Sequence, residues 1–275
     1  MNAPLTNRRF GVEIECFAPV DSSAVANAIA EKGIPIRSMG YTHTVMDQWK
    51  IVTDGSLSAN SEWNGRWYGI EVVSPPMRGE EGFRQLKVVC ETLQSLGCKI
   101  NKTSGLHVHI EIKNLSWAAE VGEAALCYSE YESAVFDQML PQSRRGNANN
   151  YCRSLTSMHL ERFLSQKHYT TTSQIASQIG TRYCKVNLQS YTKYGTMEFR
   201  HHSGTIEYDK ISSWVVILQG VIKVAQTRVA RFGHLGRNWD GVSSRSWEDF
   251  QNEFRNILPR ETLTYIQRRM NRVAD

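Results

Sequence analysis

Residues 195–205 read GTMEFRHHSGT. Within them Glu198, Arg200 and His202 alternate with Met197, Phe199 and His201. A strand of that period shows an acid, a guanidinium and an imidazole on one face. An arginine fork matches the oxygens of a phosphoryl group, and a carboxylate beside it can take a divalent cation. The same alternation recurs in four other stretches. In GVEIE, Glu13 and Glu15 oppose Val12 and Ile14, and in GIEVV, Glu71 lies between Ile70 and Val72. In GLHVHIE, His107, His109 and Glu111 oppose Leu106, Val108 and Ile110; in CKVNLQS, Lys185, Asn187 and Gln189 oppose Val186 and Leu188.

Taken singly, each pattern describes a half-exposed strand, and an isolated HxH pair is more often two solvated imidazoles than a metal site. Together they say more. A solvated sheet face favours Thr, Lys and Ser with opposite charges paired across strands. Here Glu13, Glu15, Glu71 and Glu198 gather with two histidines and one arginine, and carboxylates so placed repel unless a cation lies among them. Hard divalent ions fit, with Asp54 and Glu62 as further oxygen donors. Mixed Glu and His ligation suits Mg²⁺ or Mn²⁺ held with a nucleotide. On this reading the charged face is the floor of an active site.

The elements that would position these residues follow from period and punctuation. Strands are expected at 9–17, 48–53, 67–74, 104–112, 182–190 and 195–202, the last two as a hairpin across TKYG. Asp21 or Ser22 caps a helix that stops at Gly33, and a second helix from about Glu80 stops at Gly97. Longer helices run from Trp117 to about Leu140 and from Asp209 to about Arg231, with shorter ones at 157–166, 171–179, 246–256 and 260–273. Short strands with helices gathered between them predict an α+β fold. Its sheet of five or six strands is largely antiparallel, with helices on one side only.

Composition sets the outer limits. The 275 residues are 41% hydrophobic and 21% charged, with a formal net charge of +5, as expected of a globular protein with an ample core. No apolar run is long enough to span a membrane, and MNAPLTNRRFGVEIE lacks the apolar centre of a signal peptide, so a cytoplasmic protein is expected. The six cysteines form no CxxC pair and read as reduced core thiols. Arg255, Arg260, Arg268, Arg269 and Arg272 crowd the last helices, interrupted by Glu253 and Glu261. A solvated arginine-rich face is the stronger reading there than a nucleic-acid surface.

Six motifs occur in an order that resembles one family: GVEIE (11–15), DGSL (54–57), GIEVVSPP (69–76), GLHVHI (105–110), RYCKVNL (182–188) and GTMEFRHHSGT (195–205). They are similar to those of the amidoligases in the glutamine synthetase-like carboxylate–amine ligase superfamily, whose relatives include glutamine synthetase and gamma-glutamylcysteine ligase. The resemblance covers roughly residues 10–225. It implies an amidoligase domain over 1–235 with a C-terminal helical extension over 236–275. It also implies a curved antiparallel sheet, concave towards ATP and two or three Mg²⁺ ions, with helices on the convex side. The implied reaction activates a carboxylate as an acyl phosphate, which an amine then converts to an amide, releasing ADP and phosphate.

By motif, the resemblance makes Glu13, Glu15 and Glu71 metal ligands, with Asp54 a weaker one. His109 is favoured over His107 as the histidine on metal or γ-phosphate. Glu198 becomes a metal ligand shared with the nucleotide, and Arg200 stabilises the transferring phosphoryl group. Lys185, Asn187, Arg200 and His107 would face nucleotide or substrate. The acid is expected to be a small molecule or peptide, and an oligomer is possible. Residues 141–180, with Arg144, Arg145, Tyr151 and Arg153, are read either as a substrate-side wall or as a polar loop.

Two other readings compete. HxH with a nearby acid is similar to cupin-type transition-metal enzymes, but that scheme leaves Glu13, Glu15, Glu198 and Arg200 idle. A binding protein on a retired active site would use the basic tail and the seven tryptophans, and its binding would weaken steeply with salt.

Overall fold

The structure is a computed structural model that describes residues 5–42, 44–60, 63–115, 118–155, 181–232 and 243–273. The helices expected at 157–166 and 171–179 and the acid Glu62 lie outside the described residues. The chain order is β1 (Phe10–Ala18), α1 (Ser22–Ala30), β2 (Ile36–Ser38), β3 (Trp49–Val52), β4 (Tyr68–Val73), α2 (Gly79–Ser95), β5 (Gly105–Glu111) and α3 (Ala118–Tyr131). After α3 come a π-helical turn (Glu132–Phe136) and two 3₁₀ turns (Asp137–Met139 and Gln142–Arg144). The rest is β6 (Val186–Asn187), α4 (Ser190–Tyr194), β7 (Thr196–Ser203), α5 (Tyr208–Phe232), α6 (Trp247–Phe254) and α7 (Arg260–Val273).

The fold is α+β, with a sheet ordered β2-β3-β4-β1-β5-β7-β6. Among the described residues its seven strands exceed the expected five or six because of β2. Three residues with an exposed Arg37 are too short to leave a periodic signal. Strand β2 also lies parallel to β3, whereas β3 with β4, β4 with β1, and β6 with β7 are antiparallel. The expected hairpin at 182–202 is reduced: β6 keeps two residues, and Ser190–Tyr194 coil into a helical turn closed by Gly195 at φ +69°. There the Gly195 N–H donates to the Tyr191 carbonyl, and only glycine adopts that conformation without strain.

By compactness the chain divides into two units. The first comprises residues 1–109 and 202–215, the second 110–201 and 216–275. In the first, strand register decides which side chains share a face. Ile14, Val72 and Ile51 stand in one row across β1, β4 and β3, with Cys16 opposite Ile70, and all are buried. Helix α1, capped by Asp21 Oδ1 on the Ala24 N–H, and helix α2 bury Val25, Ile29, Leu86, Val89 and Leu93. Flipping the register by one residue would drive the acids into this apolar layer, so the pattern pins the pairing.

The second unit has an aromatic core. Tyr128 stacks on Phe136 with centroids 4.5 Å apart, Phe250 stacks on Phe254 at 4.0 Å, and Tyr131 meets both phenylalanines of α6 edge-on. Helix α6 begins at a capping box formed by Ser246 and Asp249. The expected continuous helix to Leu140 instead loosens after Tyr131, which turns Glu132 and Asp137 into the interior. All six cysteines are buried free thiols, as expected.

Candidate functional site

In the first unit the odd-numbered residues of β1 and β4 form the second face of the sheet. Register puts Glu13 beside Val73 and Lys50, and Glu15 beside Glu71 and Val52. Strand β5 adds two imidazoles: His107 Nδ1 lies 3.0 Å from one oxygen of Glu13, and His109 Nε2 lies 3.2 Å from the other. His107 Nε2 is also 3.6 Å from Glu15. The Gly105 N–H donates to Glu15 Oε2 at 2.5 Å, fixing that carboxylate from behind. Asp54, in the loop after β3, accepts from the Ser56 N–H at 2.7 Å.

Among the described residues of this unit two ligand sets result, and they share a member. Glu13, Glu71 and His107 offer donor atoms all within 4.8 Å of one another, and so do Glu15, Asp54 and Glu71. The electrostatics match crowding of this kind. Burial, then the charges of Glu13, Glu15 and Asp54, push the Glu71 carboxyl well above its ordinary value. Burial acts the same way on Glu13, but hydrogen bonds and charge from His107 and His109 outweigh it and hold that carboxyl well below the usual range. A carboxylate squeezed between three others is a site that a divalent cation relieves, and oxygen donors with one imidazole suit Mg²⁺ or Mn²⁺.

The remaining predicted residues lie in the second unit. Glu198 is buried with both oxygens engaged, one by the Asn187 amide at 2.7 Å and the other by the Arg200 guanidinium. Acid and arginine on that strand are therefore partners of each other. The Asn187 side-chain oxygen accepts from the Gln189 N–H. Lys185 stands apart from them: it is fully buried, and its Nζ donates to Glu132 at 2.7 Å and Asp137 at 2.8 Å.

His201, on the apolar side of β7, completes that buried network. Its Nε2 lies 2.8 Å from Asp137 and 2.9 Å from the Arg144 carbonyl, and its Nδ1 lies 2.7 Å from the Tyr128 hydroxyl. Ser154 donates to Glu132 and the Gly146 N–H to Asp137, which fastens the 144–155 segment to the network. Tyr151 on this segment is exposed and Arg144 is buried. Sequence alternation alone could not show this, since Glu132 and Asp137 come from a distant part of the chain.

The network makes stability fall in acid. Burial acts to raise the Asp137 carboxyl, but hydrogen bonds from His201 and Lys185 outweigh it and hold the group at about 2. Burial also lowers the His201 imidazole below its ordinary value. In each case the unfolded chain takes up a proton first, so stability declines as pH drops. The loss begins near pH 6.5 with His201 and deepens below about pH 4 with Asp137, which contributes on the order of 2 kcal/mol. Melting curves between pH 7 and 3 should show this slope, and Asp137→Asn should flatten its acid end. Parallel curves for the two proteins would remove Asp137 from the explanation.

A family model described as putative amidoligase enzyme matches residues 6–222, well over half of the chain. No curated protein matches the chain. Among the described residues, no helix is long and apolar enough to cross a membrane.

Proposed function

Because the chain belongs to the amidoligase family, we propose that it is an ATP- and Mg²⁺-dependent carboxylate–amine ligase working through an acyl phosphate. Amide-bond formation is the chemistry of the family; the nucleotide, the metal and the intermediate are this proposal's own. The observation that carries it is the paired ligand set sharing Glu71 on one sheet face. Adjacent cation positions of this kind suit transfer of a phosphoryl group between two anions. An arrangement like that of the glutamine synthetase catalytic domain belongs to the same proposal.

Glu13, Glu71 and His107 would hold one cation and Glu15, Asp54 and Glu71 the other. When bound, such ions neutralise phosphate charge and so lower the barrier to phosphoryl transfer. The protein's part is positioning. The Gly105 N–H holds Glu15 in place, and the two imidazoles keep Glu13 ionised. His109, now 3.2 Å from Glu13, would donate to a phosphate oxygen once that contact opens. Glu198 and Arg200 would serve the nucleotide phosphates as a preformed pair, Arg200 stabilising the group in flight. Asn187 would act through Glu198, whose oxygen it holds. Nothing in the geometry asks Lys185 to touch the nucleotide, since its ammonium is spent on two buried acids.

ADP and phosphate release from Mg·ATP, with pools of carboxylates and amines supplied, tests the proposal. Release should need both pools and should fall on the order of 10²-fold or more in Glu198→Gln. ADP with the acid pool alone still supports the acyl phosphate. No ADP with any pool, together with no ATP binding by calorimetry, would sink the ligase reading. Tightly bound iron would then favour a cupin-like metal enzyme, and steeply salt-dependent binding a nucleic-acid or protein partner.

A further inference from the structure

The carboxylate face of the first unit does not end at Glu15 and Glu71. One step further along the strands Gly69 pairs with Phe17, and Phe17 exchanges both backbone hydrogen bonds with Lys99 at 2.8 Å. Trp63 lies edge-on against Phe17, with centroids 5.3 Å apart, and Trp67 lies 5.1 Å from Trp63. The Lys99 ammonium sits over both indoles, 5.3 Å from the Trp63 centroid and 4.6 Å from that of Trp67. Both tryptophans are half-buried and Lys99 is exposed.

The arrangement is built rather than incidental. The loop that carries Asp54 also carries both indoles. It is strapped to the segment after Lys99 by the Asn101 side-chain amide on the Ser58 carbonyl at 2.8 Å, and by the Ser58 N–H on the Thr103 hydroxyl. The Trp67 indole N–H donates to the Asn64 carbonyl at 3.0 Å, fixing the ring. Gly69 leaves room for the loop: a Cβ there would stand 3.0 Å from Leu57. A cation held over two indoles is oriented by their π-faces, and the apolar rings beside it cover the body of a ligand.

We propose that Trp63, Trp67 and Lys99 form the tail subsite for the acid substrate, taking a molecule with a second anionic group. The inference rests on the ligase reading. Two strand residues separate the acid pair from the row of Phe17, about 7 Å. The reacting carboxylate is held at the metal ligands, and the distal carboxylate reaches the Lys99 ammonium while its carbon chain lies on the indoles. The sheet sorts its charges accordingly. The exposed Arg37 lies at the opposite end, in the row of Glu13, which suits the anionic nucleotide, and the aromatic end is left to the other substrate. Lys50 in that row is buried and donates to the Thr42 and Thr44 carbonyls.

Glutarate and valerate test the subsite, being five-carbon acids with and without the second carboxylate. Each is titrated in Mg²⁺ while tryptophan fluorescence is followed, with Mg·ATP titrated separately in the same proteins. Glutarate should bind at least tenfold more tightly than valerate, and Lys99→Met should erase the difference. Trp67→Leu should weaken both acids and reduce the fluorescence change. Equal binding of the two acids, binding of neither, or a preference that survives Lys99→Met overturns the subsite. If Mg·ATP binds normally in that case, only the subsite fails; if Mg·ATP does not bind either, the ligase reading fails with it.

Discussion

A Glu71→Gln protein should melt above the wild type when both are free of divalent ions, and should release almost no ADP. Glu71 is the shared member of the two ligand sets, and its carboxyl is pushed up first by burial and then by Glu13, Glu15 and Asp54. Glutamine keeps the shape and removes an acid whose ionisation burial and the neighbouring carboxylates oppose. Single stabilising substitutions commonly yield roughly 0.5–2 kcal/mol, a few degrees in Tm at this chain length. Saturating Mg²⁺ or Mn²⁺ should reverse the order, because a ligand at about 100 times its Kd stabilises the wild type by about 2.7 kcal/mol. The substituted protein should respond weakly. Activity should fall on the order of 10²–10³-fold. A Glu71→Gln protein that melts lower in both conditions, with no metal response in the wild type, would make the cluster structural.

That prediction could be approached from sequence because the signal was local. Glu13, Glu15, Glu71, His107 and His109 alternate with residues that are all buried, and a period of two leaves no freedom about which face they take. Strand register then does the rest, joining Glu15 to Glu71 and Val52 across three strands. Where local period did not fix the partner, the reading ran short. Lys185 alternates as well as any residue, yet its ammonium is claimed by Glu132 and Asp137, which reach it only because the helix after Tyr131 loosens. Trp63, Trp67 and Lys99 have no shared period. Their meeting depends on a two-residue bridge between Phe17 and Lys99 that no pattern announces.

The largest loss of stability should come far from the acid face, at Arg228. Its guanidinium forks onto Glu253 with bonds of 2.7 and 2.6 Å, and also meets Glu123 at 2.7 Å and Glu130 at 2.9 Å. Arg245 shares Glu253 at 3.1 Å, and the Tyr131 hydroxyl donates to it at 2.6 Å. Three carboxylates thus surround two arginines in the interior of the second unit. Arg228, Arg245 and Glu253 all lie beyond the residues that match the family. In the sequence Glu253 only interrupts a basic run; in the fold it ties α6 to α3 and α5.

Arg228→Met fills much of the same volume but leaves the three acids facing one another with Arg245 alone. Breaking a buried ion network from one side typically costs about 3–5 kcal/mol, so Tm should drop on the order of 10 °C. Hydrogen exchange in α6 should rise first, because Glu253 is its hold on the rest of the unit. Arg228→Lys keeps a charge but cannot fork onto Glu253, and it should fall between the two. The acids alone are not the support: replacing Arg228 and Glu253 together by apolar residues of similar volume should recover part of the loss, since a buried network removed from both sides leaves less charge unmatched. An Arg228→Met protein within 1 kcal/mol of wild type, read by urea denaturation, would show that aromatic packing around Tyr131, Phe250 and Phe254 holds α6 without the network.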